Sequence, residues 1–253
     1  LHNVLRSKVV RTLFALSGKK TASVDKGREE RKALTRPENK IFKPLTTMFE
    51  RHVKVFEQLG FPVDLSNPIF PKTAILDKEI IDIVGDSNQK LIGIAPFAQY
   101  YSKVYPQDLM QEVIDTLALD KNKKILLFGG GKSEIEILDT LSSGKANVIN
   151  MAGKIKFPQE LQLISNLDVM LSMDSGNAHI AAMLGVKVIT LWGATHPYTG
   201  FSPFNQPLEN ALVSDRNLFP KLPTSVYGNK IVEGYEDAMR TIRVEEIVSK
   251  IQL

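Results

Sequence analysis

The sequence predicts an α/β protein built around a parallel sheet, and two observations support this. From residue 90 onward, five short apolar segments alternate with amphipathic helices, which is typical of repeated β-α units. Proline stands near the start of two of these helices and glycine follows the end of another, as helix boundaries favour. Strands are predicted at 91–95, 124–128, 147–150, 169–172 and 187–192, and helices at 106–119, 133–141, 158–166 and 176–184.

The N-terminal part of the chain has a different pattern. Helices are predicted at 3–16 and 45–59, each with apolar residues three or four positions apart and a glycine just after its end. The charged segment 26–43 contains proline and is expected to be a mobile basic loop, and the proline-containing segment 61–88 is expected to connect two domains. The resulting division is an incomplete N-terminal α/β domain at 1–75, a linker at 76–88, a C-terminal domain at 89–232 and a final helix at 233–253.

The composition excludes several classes of site. The 253 residues include no Cys, so disulfides, thiolate metal sites and a cysteine nucleophile are excluded, and a reducing cytoplasm suits this usage. No apolar run approaches the roughly 18 residues that a membrane span needs. The first residue is Leu and lies in a helical pattern, so we expect the chain to be part of a longer protein.

Charge is distributed unevenly along the chain. Residues 1–60 hold 14 Lys and Arg against 6 Asp and Glu, whereas the remaining residues hold 18 against 22. A basic N-terminal part suits an anionic partner such as a phosphorylated lipid or a membrane surface, and a solvated helix face is the alternative. The basic residues are not interleaved with aromatic ones, so we expect no nucleic-acid partner.

Ligands of parallel α/β sheets bind beyond the carboxyl ends of the strands, so the residues after each strand are the informative ones. Lys103 follows the first strand, where its ammonium could contact a phosphate, although a plain exposed lysine is the alternative. A glycine-rich turn at 129–131 follows the second strand, but it fits neither the Walker A motif nor the dinucleotide fingerprint. Gly130 then allows close backbone approach to a ligand, and Glu134 either accepts hydrogen bonds from a ribose or only complements the helix dipole.

The segment after the fourth strand gives the strongest signal. Asp174 or Ser175 can cap the following helix, Gly176 lets a ligand approach the backbone, and free N–H groups then point at an anion. Ser175 and His179 are four residues apart and therefore share one helix face. The sequence predicts an anion-binding helix start here, with His179 on its ligand-facing side.

Thr195 and His196 follow the fifth strand and add a hydroxyl and an imidazole to the same edge. His179, His196 and Asp174 match no zinc spacing, so we expect no metal. The Gly-x-Ser-x-Gly elbow of Ser-His-Asp hydrolases is absent from the sequence.

Taken together, these segments resemble the ADP-heptose:lipopolysaccharide heptosyltransferase family, whose GT-B fold has two Rossmann-like domains facing a cleft. The similarity covers about residues 90–205, and its most diagnostic part is the Asp-Ser-Gly-x-x-His motif that ends at His179. Residues 1–7 are weakly similar to a helix start in the N-terminal domain of that family. The similar stretches are 93–106, 126–134, 168–179 and 181–197.

The resemblance implies inverting transfer of a sugar, heptose, from an ADP-linked donor to a lipopolysaccharide-core or related anionic glycolipid or saccharide acceptor. It also implies a cytoplasmic protein, with peripheral contact to the inner membrane as an option, and neither metal nor other cofactor. Lys103 would contact the donor phosphates, Glu134 the ribose, and the segment from Asp174 to His179 the diphosphate and sugar. The predicted donor-binding residues are Lys103, Gly130, Glu134, Asp174, Ser175, Gly176, His179 and Thr195.

In that family a catalytic aspartate lies in a glycine-rich turn near the start of the N-terminal domain. This chain begins after that point, so we assign no catalytic base and expect that this part alone lacks one. Two alternatives stay open at this stage: a nucleotide-sugar epimerase with the same fold, and a non-catalytic nucleotide-sugar binder.

Overall fold

A computed structural model of the protein describes residues 4–85, 88–230 and 232–251. The described helices are α1 (Leu5–Leu16), α2 (Arg28–Thr35), α3 (Met48–Leu59), α4 (Lys78–Val84), α5 (Gln107–Ala118), α6 (Lys132–Ser142), α7 (Phe157–Ile164), α8 (Gly176–Met183) and α9 (Val244–Ile251). The described strands are β1 (Lys90–Ala95), β2 (Lys123–Leu127), β3 (Val148–Asn150), β4 (Val169–Met173), β5 (Lys187–Trp192) and β6 (Ala211–Val213). Residues 3, 252 and 253 of the predicted first and last helices lie outside the described residues.

The chain divides into two compact units. The smaller unit comprises residues 1–69 and 198–202, and the larger comprises 70–197 and 203–253. Residues 198–202 group with the smaller unit because the N–H groups of Leu45 and Met48 donate to the carbonyl oxygens of Tyr198 and Gly200. No helix in the described part of the chain combines the length and hydropathy that crossing a bilayer demands.

The larger unit contains one parallel sheet with the strand order β3-β2-β1-β4-β5-β6. The five predicted strands are all present, and each boundary lies within one residue of its predicted position. From β1 the chain builds outward to β3 and then returns to β4 on the other side, so the winding direction reverses between β1 and β4. A crevice forms at such a switch point because the loops leaving the two strands run to opposite faces.

Helices cover both faces of this sheet. Alternate strand residues pack on one face with α5, α6 and α9, whereas the intervening ones pack on the other face with α4, α7 and α8. In β4, for example, Leu171 belongs to the first cluster and Met170 to the second. Burial of the strands on both sides explains their continuous apolar runs.

The prediction of a loop over 26–43 is wrong for residues 28–35, which form α2. Gly27 precedes the helix in the left-handed conformation, and its N–H donates to a carboxylate oxygen of Asp25. Leu34 is fully buried and Arg31 largely so, while Arg28, Glu29 and Lys32 are exposed and Glu30 pairs with Arg51. The high charge of this segment therefore reflects one exposed face and not a loop.

The segment 76–88, predicted as a linker, contains α4. Ile80 and Val84 lie one turn apart and are buried in the cluster on the α7 and α8 face of the sheet. The helix has only seven residues, which is too short for its apolar period to be distinguished from that of a loop.

Helix α3 begins at Met48, three residues after the predicted start. The hydroxyl of Thr47 accepts a hydrogen bond from the N–H of Glu50, and the Glu50 carboxylate accepts one from the N–H of Thr47. This capping box fixes the start of the helix at Met48.

The predicted final helix at 233–253 is also corrected, because α9 begins only at Val244. Gly234 has a positive φ of 77°, which is incompatible with a helix running through it, and a short 3-10 turn occupies 238–241. The chain is extended at Ile242, whose carbonyl accepts a hydrogen bond from the Tyr105 hydroxyl at 2.7 Å. The three-residue strand β6 was missed because no helix separates it from β5.

Candidate functional site

The candidate site lies at the switch point between β1 and β4. A cleft of about 330 Å³ opens there, lined by residues that follow β1, β2 and β4 together with Glu160 of α7. Four predicted residues line it directly, namely Gly130, Glu134, Ser175 and Gly176.

The start of α8 is free of side-chain caps. Ser175 occupies the cap position with extended backbone angles, yet no described side chain accepts a hydrogen bond from the first turn, so the predicted cap by Asp174 or Ser175 is wrong. The Ser175 hydroxyl instead lies 3.1 Å from that of Ser172. A Cβ added at Gly176 would meet no protein atom within 4 Å, so the space beside this residue is open. The first-turn N–H groups therefore remain available to an anion.

Lys103 and Asp174 form a buried pair behind this helix start. The Lys103 Nζ donates to the backbone oxygen of Asp174 at 2.6 Å and approaches its Oδ2 at 3.3 Å. The Thr195 hydroxyl donates to the same Oδ2 at 2.8 Å. Because the Lys103 side chain is 11% exposed, the alternative of a plain exposed lysine is wrong. An ammonium has three N–H donors, so one is left for a ligand.

A distant loop holds Lys103 in place. Lys103 ends a 3-10 turn in which the Ser102 hydroxyl donates to the carbonyl of Gly228 at 2.6 Å. The Ser102 carbonyl accepts a hydrogen bond from the N–H of Ala194. A Cβ at Gly228 would lie 2.6 Å from the Cγ of Lys103, so the loop backbone packs directly on the lysine stem. The sequence analysis missed this support, since a glycine between polar residues is typical of any turn.

Glu134 closes the glycine-rich turn. Its Oε2 accepts a hydrogen bond from the N–H of Gly130 at 2.7 Å, from the third position of α6. The same carboxylate lines the cleft and lies in the first turn of a helix. Both interpretations of Glu134 are therefore compatible with its position, and ribose binding stays a prediction.

The two histidines near the site are held neutral near pH 7. Burial lowers the pKa of His179, outweighing the opposite effect of the Asp174 charge, and the Lys103 charge lowers this pKa further. Burial lowers the pKa of His196 to about 4, and the positive charge of Arg216 acts in the same direction. His179 lies one turn beyond Ser175 on α8, where a neutral imidazole offers one donor and one acceptor.

Glu160 is a cleft residue that the sequence analysis did not identify. It lies in the first turn of α7, its side chain is half-buried, and burial raises its pKa. Among the described residues, its carboxylate has neither a hydrogen bond nor an ion pair. A glutamate in the first turn of a helix usually complements the helix dipole, so the sequence carries no signal for this position.

The predicted residues thus fall into two groups. Gly130, Glu134, Ser175 and Gly176 face the cleft, while Lys103, Asp174 and Thr195 form the buried network behind α8. His179 lies close enough to that network for both of its charges to act on the imidazole. Within residues 4–85, 88–230 and 232–251, no three His, Asp or Glu side chains form a group that could hold a metal ion.

The chain is similar in sequence to proteins whose function is named. Lipopolysaccharide heptosyltransferase 3 of Escherichia coli (strain K12) is 27% identical over 184 residues, a match covering 71% of this chain and 52% of that protein. Lipooligosaccharide heptosyltransferase 2 of Haemophilus ducreyi is 28% identical over 177 residues, covering 67% of this chain and 49% of that protein. The chain therefore spans about half the length of the curated relatives it matches.

Solved structures share the fold. A family 9 glycosyl transferase from Veillonella parvula DSM 2008 aligns with a TM-score of 0.62 at 19% identity, over 81% of this chain and 58% of that one. The E. coli heptosyltransferase WaaC with ADP-2-deoxy-2-fluoro heptose aligns with a TM-score of 0.53 at 19% identity, over 84% of this chain and 58% of that one. These likenesses confirm the predicted α/β class of GT-B type.

The family profile "Glycosyltransferase family 9 (heptosyltransferase)" matches residues 1–229. That match covers most of the chain and includes both the glycine-rich turn and the segment from Asp174 to His179. The resemblance inferred from the strand ends is thereby confirmed, and this chain belongs to glycosyltransferase family 9, the heptosyltransferase family.

Proposed function

We propose that this chain supplies the nucleotide-sugar-binding part of a glycosyltransferase that moves a sugar, heptose, from an ADP-linked donor to a lipopolysaccharide-core acceptor with inversion. The larger compact unit binds the donor, and the smaller unit belongs to the acceptor side. Family membership, a relative named for lipopolysaccharide heptosyl transfer and a solved relative that holds an ADP-heptose analogue support this assignment.

One observation carries the proposal: the uncapped start of α8 faces an open cleft beside a buried lysine. Free N–H groups and the positive end of the helix dipole favour the diphosphate of a nucleotide sugar. Asp174 balances most of the Lys103 charge, so the two side chains can stay buried without a ligand. In this proposal the third Lys103 donor contacts the same anion.

The proposed chemistry follows from where charge develops. When an acceptor hydroxyl attacks the anomeric carbon, the bond to the diphosphate breaks and negative charge grows on the leaving phosphate oxygen. The first-turn N–H groups of α8 and the Lys103 ammonium are fixed before this happens, which is the condition for effective electrostatic stabilisation. The proton of the acceptor hydroxyl requires a base, and no residue of this chain is assigned to that role.

Gly176→Ala tests the proposal without disturbing the fold. The added methyl meets no atom within 4 Å beyond its chain neighbours and the backbone of its own helix, and it occupies the space where we place the diphosphate. Isothermal titration calorimetry should show ADP and an ADP-sugar binding to the wild-type chain, and binding about tenfold weaker or worse in the variant, which is a loss of about 1.4 kcal/mol. His52→Ala on the exposed face of α3 is the matched control and should bind as the wild type does.

Failure of the wild-type chain to bind any of ADP, UDP or their sugar conjugates would overturn the proposal. An assay of the full-length protein for reaction products then distinguishes a glycosyltransferase from the two alternatives, an epimerase and a non-catalytic binder. Epimerised sugar formed from the donor alone favours an epimerase, whereas binding with neither transfer nor epimerisation favours a non-catalytic binder.

We also propose that α1 contacts an anionic membrane surface, near the lipid-linked acceptor. Its apolar side chains are exposed, with Leu5 at 79% and Leu16 at 80%, and none of its residues is buried. Residues 4–24 carry basic side chains and no acidic ones, so the same segment attracts anionic headgroups. The expected localisation, cytoplasmic and peripheral to the inner membrane, rests on this contact.

Vesicle sedimentation tests the membrane proposal. The chain should bind phosphatidylglycerol-containing vesicles more tightly than pure phosphatidylcholine ones, and Lys8→Glu with Arg11→Glu should reduce that binding about tenfold or more. The matched double variant Lys32→Glu with Lys54→Glu changes exposed charges on α2 and α3 and should have a smaller effect. Equal losses in both double variants would contradict a specific role for α1.

A further inference from the structure

We propose that Glu160 of α7 recognises the nucleobase of the donor by accepting a hydrogen bond from an N–H group on its edge. The cleft position of Glu160 and the lack of any described partner for its carboxylate point to this role. The inference rests on the proposed function and names the residue that selects the nucleotide.

A carboxylate that is half-buried without a partner is costly, because it loses hydration and gains nothing in return. The other two carboxylates of the site are already engaged. Asp174 accepts hydrogen bonds from Lys103 and Thr195, and Glu134 accepts one from the N–H of Gly130. Glu160 is therefore the cleft carboxylate that a ligand donor would satisfy.

The order of the strands indicates which part of the ligand reaches Glu160. Across the sheet edge the strands run β4, β1, β2 and β3. The anion-binding start of α8 follows β4, Glu134 follows β2, and α7 follows β3, at the far end of this series. A nucleotide with its diphosphate at α8 and its ribose near Glu134 extends toward β3, so its base comes next, where α7 begins.

Charge supports the same assignment. A carboxylate repels phosphate, so Glu160 cannot share the diphosphate position and must face a donor group instead. The exocyclic amino group of adenine is such a donor and belongs to the nucleotide of the proposed ADP-linked sugar. Burial raises the pKa of Glu160, and a hydrogen-bond donor from a ligand would offset that loss of hydration.

The test compares ADP with purine riboside 5′-diphosphate, which lacks the 6-amino group and has no N–H donor on that edge. The wild-type chain should bind ADP about tenfold to a hundredfold more tightly than this analogue. Glu160→Leu should remove that preference by weakening ADP binding alone, and Glu160→Gln, which keeps an acceptor oxygen, should recover part of it. Glu136→Leu, an exposed change on α6, is the matched control.

Each outcome is decisive. Loss of the ADP preference in Glu160→Leu, with an unfolding midpoint like that of the wild type, supports the proposal. Wild-type ADP affinity in Glu160→Leu overturns it while leaving the proposed function intact, and weakening only of an ADP-sugar assigns Glu160 to a sugar hydroxyl and also overturns it. If the wild-type chain binds no nucleotide, the proposed function fails and this inference fails with it.

Discussion

Two carboxylates of the candidate site lie in opposite environments. Asp174 is almost fully buried, and both a lysine and a threonine donate to it. Glu160, which lines the cleft, is half-buried and has no partner among the described residues. We therefore expect a change at the first carboxylate to act mainly on stability, and a change at the second to act mainly on ligand binding.

The largest expected effect comes from breaking the buried pair. Asp174→Asn leaves the Lys103 ammonium buried without a counter-charge, and we expect the free energy of unfolding to fall by about 3 kcal/mol. Urea denaturation measures this directly. Asp108→Asn is the control, because its pair with Arg240 is exposed to solvent and its loss should change the free energy of unfolding far less. Similar losses of unfolding free energy in Asp174→Asn and Asp108→Asn would show that burial of the Lys103–Asp174 pair does not make it more important for stability than an exposed pair.

A second test measures how the stability of the buried part of the site, which includes His196, changes at acid pH. The folded-state pKa of His196, about 4, lies below its ordinary value of 6.5, so the folded protein binds fewer protons than the unfolded chain in this range. The contribution of His196 to the free energy of unfolding is therefore fully present above pH 6.5. This contribution, on the order of 3 kcal/mol, is lost as the pH falls toward 4. Thermal unfolding at several pH values measures it.

His196→Gln should flatten this part of the pH profile, whereas His52→Gln on the exposed face of α3 should retain it. An unchanged acid limb in His196→Gln would show that burial of this imidazole does not drive the acid sensitivity.

The smallest expected effect is the pH dependence of stability that comes from the unpartnered carboxylate of Glu160. The folded-state pKa of Glu160 is raised above its ordinary value of 4.5, so its contribution to stability is present below pH 4.5 and is lost as the pH rises through the folded pKa. Glu160→Gln should therefore gain stability relative to the wild type as the pH increases from 4 to 8. Glu136→Gln should show no such trend, and a falling difference for Glu160→Gln would mean that a partner stabilises the ionised carboxylate.

The elements predicted well share a physical cause. β1, β2, β4 and β5 are buried on both faces, so each is a continuous apolar run, and the turns after them carry glycine or polar residues. The segment from Asp174 to Gly176 was found because it follows such a strand. In contrast, α2 and α4 were missed because each has eight residues or fewer and carries charge on its exposed face.

Parts of the site could not be predicted because they depend on contacts between distant residues. Lys103 can be buried because Asp174, 71 residues later, supplies two acceptors for its ammonium, and because the backbone at Gly228 packs on its stem. Glu160 does not follow a strand directly, and it reaches the cleft only because α7 begins at the edge of the sheet and returns toward β4. Local sequence patterns therefore predict neither the contact between Lys103 and Asp174 nor the position of Glu160 in the cleft.

The hydrogen bond between Ser102 and Gly228 also sets an order of events during synthesis. The two residues are 126 positions apart, and the lysine beside Ser102 is held against the backbone of the later one. At translation rates of about 5 to 20 residues per second, several seconds separate their emergence from the ribosome. The nascent chain thus passes through a stage in which β1 to β5 have been synthesised while the Lys103 side chain still lacks its contact with the Gly228 backbone.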